Sequence, residues 1–478
     1  MRFADSKLPD SLFVTAAALA LTATTLHAGP YSFAKLAQSG GPLESFGVPA
    51  VNAGGAVAFF AYPAAGGQGI YRADGSGVTT IAVTSEEGFY SFTGCGSMQL
   101  VSSPAIDGPG HVFFRGYTFD PDTWDCWESI YCGEGSGVAA VTDSGAGGDL
   151  YSDWCNPSAS ASEVLAFRGR DGEGTIGIYR SASGAAPELV IDDSGELQSF
   201  SDPDVNDAGE VVFYAYDALG REGIYVTSGG APAVVARTDF GYWSISQEAA
   251  IAGGPVVAFL AEDAEWSHAV FIWDGALAEI ADDLGPYSGF YAVSVNDSRD
   301  VAFRAETDEW ITGIFTGPDP VADRVIAGGD SLFGSVVTSL ECGRHALNDA
   351  GQVAFVYQLE SGESGIALAS PGTTTSVKGG APAGGASLAI SNPFPNPTRA
   401  GASLELRLPA GTERYEASVY DASGRLVRRM TTRAAANGGR VATWDGGDEA
   451  GRAVAAGPYF FRVSAGGRTA SARVLVVR

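Results

Sequence analysis

The residues of this chain best suited to holding a ligand are tryptophans set among carboxylates. Trp124 and Trp127 share a short segment with Asp120, Asp122 and Asp125; Trp266 follows Glu262, Asp263 and Glu265; Trp310 follows Glu306, Asp308 and Glu309. Tyr151, Trp154, Tyr242, Trp243, Tyr287 and Tyr291 stand in neighbouring loop segments. An indole face stacks on a sugar ring or another flat apolar group, and a carboxylate accepts hydrogen bonds from hydroxyls. Trp124, Trp127, Trp154, Trp243, Trp266 and Trp310, with Glu265 and Glu309, are therefore the candidate ligand-binding residues. The plainer alternative for each Trp is that it covers its own hairpin. Carboxylates in pairs could also serve a glycan lyase or hydrolase, given a suitable separation. Too many are present for the sequence to select a pair, so no catalytic residue is assigned. An extracellular glycan-active enzyme and a purely structural or adhesive surface protein stay open beside a binding protein.

Other chemistry has less support. No Cys or His pair has zinc spacing, and Asp120, Asp122 and Asp125 do not follow an EF-hand loop, so no metal and no cofactor is expected. The five cysteines are Cys95, Cys126, Cys132, Cys155 and Cys342. Cys95, Cys126 and Cys155 fall in loops expected on one face and are the candidates for a disulfide, while an odd total leaves at least one thiol. The phrase Gly329-Asp330-Ser331-Leu332 spells the nucleophile block of GDSL-type hydrolases, but the Asp-x-x-His block those enzymes need is absent. It occupies the loop position of Asp193-Ser194-Gly195-Glu196-Leu197 and is read as a repeat turn.

The elements that position these residues come from a motif met seven times, Asn-x-x-Gly-x-Val-Ala-Phe, with its Phe at 59, 114, 167, 213, 259, 303 and 355. Spacings of 44 to 55 residues mean stacked or radial units. Each unit reads as four short strands; in the fourth these are 203–205, 210–216, 223–226 and 233–236. Val211 and Phe213 alternate with Val212 and Tyr214, as in a strand, and the Asn and Gly suit a tight turn. Units of this size predict a β-propeller, whose small inner strands meet at a crowded centre. The seventh unit runs out after three strands, and residues 32–37 can supply its fourth, leaving no open edge. The Phe column reads as core, and the repeated Asn as a turn residue rather than a ring of channel ligands. Between the Phe and the following Ile the interval is longer in unit two, and seven residues after the Phe units five and six carry Trp266 and Trp310 where four others carry Gly. The irregular, aromatic and acidic residues thus gather on one face.

On these phrases the repeat resembles the Asn-x-x-Gly tandem-repeat family of exported bacterial proteins, over residues 30 to 369. Glu163 and Pro255 depart from its Gly position. The resemblance implies a propeller and export, and it brings no catalytic residues.

Residues 370–386 are rich in Gly, Ala, Thr and Pro and read as a flexible linker. Beyond them composition changes: residues 387–478 hold 13 Arg and no Lys against 7 acidic residues, net +6, whereas residues 1–386 carry net −34 of the total −28. So acidic a propeller excludes nucleic acid and anionic lipid as its partners. In the tail Asn392-Pro393-Phe394-Pro395-Asn396-Pro397, Trp444-Asp445-Gly446 and Gly457-Pro458-Tyr459 follow in order. They resemble the C-terminal sorting domain of type IX secretion cargo and the related FlgD-type Ig-like module, with Pro458 departing from the pattern. That resemblance implies an Ig-like β-sandwich that engages the secretion machinery, in a diderm bacterium. Residues 12–26 form an apolar run too short for a comfortable span, and Leu26-His27-Ala28 suits cleavage, so 1–28 read as a signal peptide. The chain is thus expected to be all-β: a signal peptide over 1–28, a seven-bladed β-propeller over 29–369, a linker over 370–386 and an Ig-like domain over 387–478. It is expected outside the cell or at its surface, free of any membrane span once the signal is removed, with a glycan or surface protein as partner.

Overall fold

The computed structural model describes residues 31–84, 88–94, 102–142, 150–152, 155–182, 185–263, 266–372, 389–390, 398, 401–407, 415–421, 425–434, 440–455, 457–465 and 468–476. They fall into two compact units that part after Gly372. Among them no helix is long and apolar enough to cross a membrane.

The first unit is built from seven antiparallel sheets, one per repeat. In the fifth, Tyr242–Ala252, Val256–Asp263, His268–Trp273 and Leu277–Asp282 pair in sequence order. The fourth has Asp204–Val205, Val211–Asp217, Glu222–Thr227 and Ala233–Arg237, within a residue or two of the sequence expectation, plus the short strand Leu197–Gln198 leading in. Alternation along each strand buries the motif Phe, which is at most 1 % exposed in all seven sheets. Burying one such ring stabilises by roughly 1.5–3 kcal/mol. In the first sheet Phe59 stacks on the aromatic of Gly69-Ile70-Tyr71 at 5.7 Å, and in the fourth Phe213 stacks on that of Gly223-Ile224-Tyr225 at 5.9 Å. This explains the Gly of that phrase: a Cβ on Gly69 would lie 2.4 Å from the Tyr71 hydroxyl.

Neighbouring sheets share hydrophobic clusters, such as Val257 and Phe259 with Val212 and Ile224, or Val301 and Phe303 with Ala258 and Val270. The series closes, because Ala354, Val356, Ile366 and Leu368 of the last sheet pack on Val57, Phe59 and Ala61 of the first. The N-terminal strand Tyr31–Gln38 completes the last sheet, pairing from Tyr31↔Pro371 to Gln38↔Gly365. The two ends of this unit, joined in one sheet, seal the ring between first and last repeats. A closed ring of radially packed sheets is a β-propeller.

The repeated Asn does more than turn the chain. Asn52 Oδ1 accepts from the amides of Gly54 and Ala56, while its Nδ2 donates to the Asp107 carbonyl of the next sheet at 2.9 Å. Asn206 donates likewise to Ala252 and Asn296 to Asn348, and Asn348 donates to Asn52 at 2.9 Å, across the closure. Each Asn therefore ties its own turn and latches its sheet to the next, and all four are buried. At two of the three junctions without the Asn, Ser162 N and Gly253 N still donate to Asp207 and Asp297 of the following sheets, a bond that Asp297 N also makes to Asp349 beside an Asn latch. Pro255 leaves the left-handed position to Gly254, and Arg299 is a further departure, with φ 69°.

In the second unit the described strands form two four-stranded sheets, Ala389–Ile390, Ala402–Arg407, Arg440–Trp444 and Thr431–Ala434 in one, Leu426–Arg429, Tyr415–Asp421, Gly457–Ala465 and Arg468–Val476 in the other. Both contribute to one core around Trp444, Phe461 and Val419. Trp444 is 2 % exposed and donates its indole N–H to the Gly447 carbonyl, with the Tyr459 ring 5.3 Å away. Trp444 and Tyr459 are thus core residues, and Gly446 supplies a positive φ of 71° for the turn in which Asp445 caps Gly447. Asn392, Pro393, Asn396 and Pro397 lie outside the described residues.

Candidate functional site

In every sheet of the propeller the start of the inner strand pairs with the end of the second strand. Phe89 lies opposite Thr118, Tyr242 opposite Asp263 and Tyr287 opposite Thr307. The loops entering the sheets and the hairpins between second and third strands therefore share one face, and the Asn turns occupy the other.

On that face three hairpins are closed by a tryptophan in the left-handed conformation: Trp124 (φ 62°), Trp266 (φ 66°) and Trp310 (φ 62°). In the other four sheets the same place is taken by Gly66, Gly174, Gly220 and Gly362, all with positive φ. The Trp266 and Trp310 turns match the glycine ones, since Trp310 N donates to Thr307 O at 2.8 Å as Gly220 N does to Asp217 O at 2.8 Å, whereas Trp124 N reaches back four residues to Asp120 O, in a turn one residue longer. A Cβ in this conformation costs roughly 1–2 kcal/mol, which glycine avoids. The indoles return little of that cost by packing: Trp124 is 81 %, Trp266 61 % and Trp310 80 % exposed. Trp residues placed where the turn favours Gly, and left in solvent, are not explained by folding.

Around them the face carries further rings. Trp243, 59 % exposed, lies 4.8 Å from Trp266 centroid to centroid. Trp124 packs edge-on to Phe119, which in turn touches Tyr90 at 5.3 Å. Tyr291 covers the Arg304 guanidinium at 4.8 Å, one sheet on from the Trp243 and Trp266 pair. Polar groups border the fifth-sheet pair: Ser244 Oγ donates to Glu262 at 3.0 Å, and His268, half in solvent, lies 3.0 Å from Asp283 and 3.9 Å from Glu262. Glu309 is exposed beside Trp310. Trp127 instead lies half-buried in the strand Cys126–Gly133. Trp154, Glu265 and Cys95 lie outside the described residues. Tyr90, His268 and Asp283 were not singled out by sequence as site residues; Tyr90 stands one place after the inner-strand aromatic Phe89, as Trp243 does after Tyr242, and that register is visible only once the strands are paired.

The carboxylates on this face whose proton affinity is displaced are displaced downward. Hydrogen bonds from Arg221 hold Asp217 at about 2, those from Arg237 lower Asp239, and the backbone amides of Thr175, Glu173 and Gly174 lower Asp171. A proton donor to a leaving group needs the opposite shift. Asp330 of the Gly-Asp-Ser-Leu phrase is fully buried, paired with Arg324 at 3.0 Å and accepting from Ala327 N, so it locks a turn.

Of the three cysteines named as candidates for one disulfide, two take different roles. Cys126 is disulfide-bonded, but Cys155 is a buried thiol that donates to the Arg168 carbonyl and accepts from the Arg168 amide. Its place in the third-sheet core, against Leu165 and Phe167, takes it out of reach of a surface bridge. Cys132 and Cys342 are thiols as well.

At the centre of the ring the inner strands enclose a cavity of about 120 Å³, lined by residues of many sheets. Asp204 crosses it: Oδ1 lies 2.9 Å from His345 Nε2 and accepts from Ser158 Oγ, and Oδ2 accepts from Ile251 N. Burial pushes the Asp204 carboxyl upward, but the His345 and Arg344 charges outweigh it and hold the group at about 2. Arg344 donates to Asp202 O beside it at 2.8 Å, so sheets four and seven are clasped across the channel.

Fold and face together define a β-propeller with an aromatic, acidic rim, joined to a second β unit. The propeller belongs to a family of unknown function, DUF7453, whose model matches residues 31–370, and residues 394–468 match the FlgD Ig-like domain. No curated protein matches the chain significantly. Similar solved structures include the Pyrococcus horikoshii acylaminoacyl peptidase, at 14 % identity and TM-score 0.40, covering 66 % of this chain and 51 % of that one. The β-propeller domain of the Pyrococcus furiosus Trilobed protease is 12 % identical at TM-score 0.35, covering 72 % and 93 %. The fungal Aleuria aurantia lectin, a six-bladed β-propeller, is 12 % identical at TM-score 0.32, covering 56 % and 91 %.

Proposed function

We propose that this protein is an exported binding protein, secreted or held at the cell surface, whose seven-bladed propeller recognises a glycan through the face bearing Trp124, Trp243, Trp266 and Trp310. The observation that carries the reading is the set of solvent-exposed Trp residues at left-handed positions that four sister hairpins fill with Gly. Sugar rings suit it, because their apolar faces stack on indoles while their hydroxyls meet Glu262, Asp283, Glu309 and their neighbours.

Export is supported by the apolar run over 12–26 and by the disulfide at Cys126, a bond that persists in oxidising compartments. The FlgD Ig-like match and the motif order of the tail support an Ig-like β-sandwich acting as a type IX secretion sorting signal. The repeat supports a place among Asn-x-x-Gly tandem-repeat proteins.

The test is a broad glycan array probed with the full chain and with a variant carrying Trp124→Gly, Trp266→Gly and Trp310→Gly. Saturable binding lost in the variant is expected. Undiminished binding by the variant would remove the face from the reading, and release of new products from a bound glycan would move it to a glycan-active enzyme.

A further inference from the structure

On the opposite face, the junction of the second and third sheets lacks the latch that Asn52, Asn206, Asn296 and Asn348 form at four others. The motif residue of sheet two is Asp107, which has no amide to donate to sheet three. It is 1 % exposed, and its Oδ1 accepts from the amides of Gly110 and His111 at 2.8 and 2.7 Å. Those two bonds fix the carboxylate and turn Oδ2 toward His111 Nδ1, 2.7 Å away. From sheet three comes Glu163, at φ 62°, in the turn position that Gly55, Gly110, Gly209 and Gly351 fill in other repeats. One ligating atom from each of Asp107, His111 and Glu163 lies within 4.8 Å of the other two, and among the described residues no other group of three does so.

We propose that Asp107, His111 and Glu163 bind a first-row divalent cation of the zinc type that bridges the second and third sheets. One imidazole nitrogen with two carboxylate oxygens is a donor set that such ions accept, leaving a position for water. Ligands about 2.1 Å from a tetrahedral ion stand roughly 3.4 Å apart, so small rotations of the partly exposed His111 and Glu163 complete the site. The amides on Asp107 Oδ1 orient its other oxygen, as groups behind a ligand commonly do. The cation replaces the missing amide latch, and Glu163 accounts for a carboxylate in a turn that favours glycine.

The full, untagged chain, stripped with chelator and dialysed, is titrated with ZnCl2 by calorimetry, with metal content and melting temperature read in parallel. One equivalent bound and a rise in melting temperature that chelator reverses are expected. Glu163→Gly restores the favoured turn residue, so it should melt no lower than wild type in chelator yet lose the zinc-dependent rise and bind at least about tenfold more weakly. His111→Gln should lose the same rise. Failure of wild type to take up an equivalent, or uptake unchanged in both variants, would overturn the proposal, as would saturation by Ca2+ in preference to Zn2+.

Discussion

Replacing Trp310 by glycine separates a ligand-holding residue from a structural one. The left-handed backbone at φ 62° costs a residue with a Cβ roughly 1–2 kcal/mol, and that cost disappears in the variant. Glycine loses about 0.5–1 kcal/mol more backbone entropy on folding. The indole is 80 % exposed, so only about a fifth of the 3–5 kcal/mol typical of deleting a buried Phe or Trp is at stake, or about 0.6–1 kcal/mol. These terms nearly cancel, and Trp310→Gly should leave stability within about 1 kcal/mol of wild type. Phe303→Ala in the same sheet, where the ring is wholly buried, should cost about 3–5 kcal/mol. Trp266→Gly also forfeits its contact with Trp243, worth roughly 0.5–1.5 kcal/mol, and should fall slightly below Trp310→Gly. Urea unfolding of the three variants, followed by far-UV circular dichroism, gives the comparison. A loss above about 2 kcal/mol for Trp310→Gly would mean that the indole supports its hairpin and is there for folding rather than for a ligand.

The latch and the channel clasp are testable in the same way. Asn348→Ala removes the bond that closes the ring, leaving the buried Asn52 carbonyl without that donor and two part-buried amides of its own turn without an acceptor, so a loss of about 2–4 kcal/mol is expected in urea titrations; a loss under 1 kcal/mol would make the latch incidental. The carboxyl of Asp204 is held at about 2 in the folded chain against about 3.9 unfolded. A depressed carboxyl contributes stability that is full above about pH 4 and lost as pH falls toward 2. Urea midpoints measured from pH 5 to 2 should therefore fall less steeply for Asp204→Asn than for wild type, and equal slopes would remove the clasp from the acid response.

Much of the architecture was legible because it is local and repeated. The alternation around Phe213, the turn at Asn206 to Gly209 and the missing strand of the last repeat each follow from a few adjacent residues, and the structure places strands where they were expected. Gly and Trp at one hairpin position were visible by counting from the Phe, although the left-handed backbone that gives the substitution its meaning was not. Which of the three candidate cysteines stays a thiol was not legible, because a loop position in sequence does not report which way a side chain turns, and the Cys155 thiol faces the core.

The amino-acid sequence by itself determined the repeat, the β character of every unit, the closing strand and the change of composition beyond the propeller, since periodicity and turn chemistry act over a few bonds. Only the tertiary structure decided which residues meet. Asp204 finds His345 from 141 positions away, Asn348 finds Asn52, and Glu163 joins Asp107 and His111 from the following repeat. Those meetings depend on the radius and closure of the ring, which are set by the packing of every sheet on its neighbours and are written in no single segment.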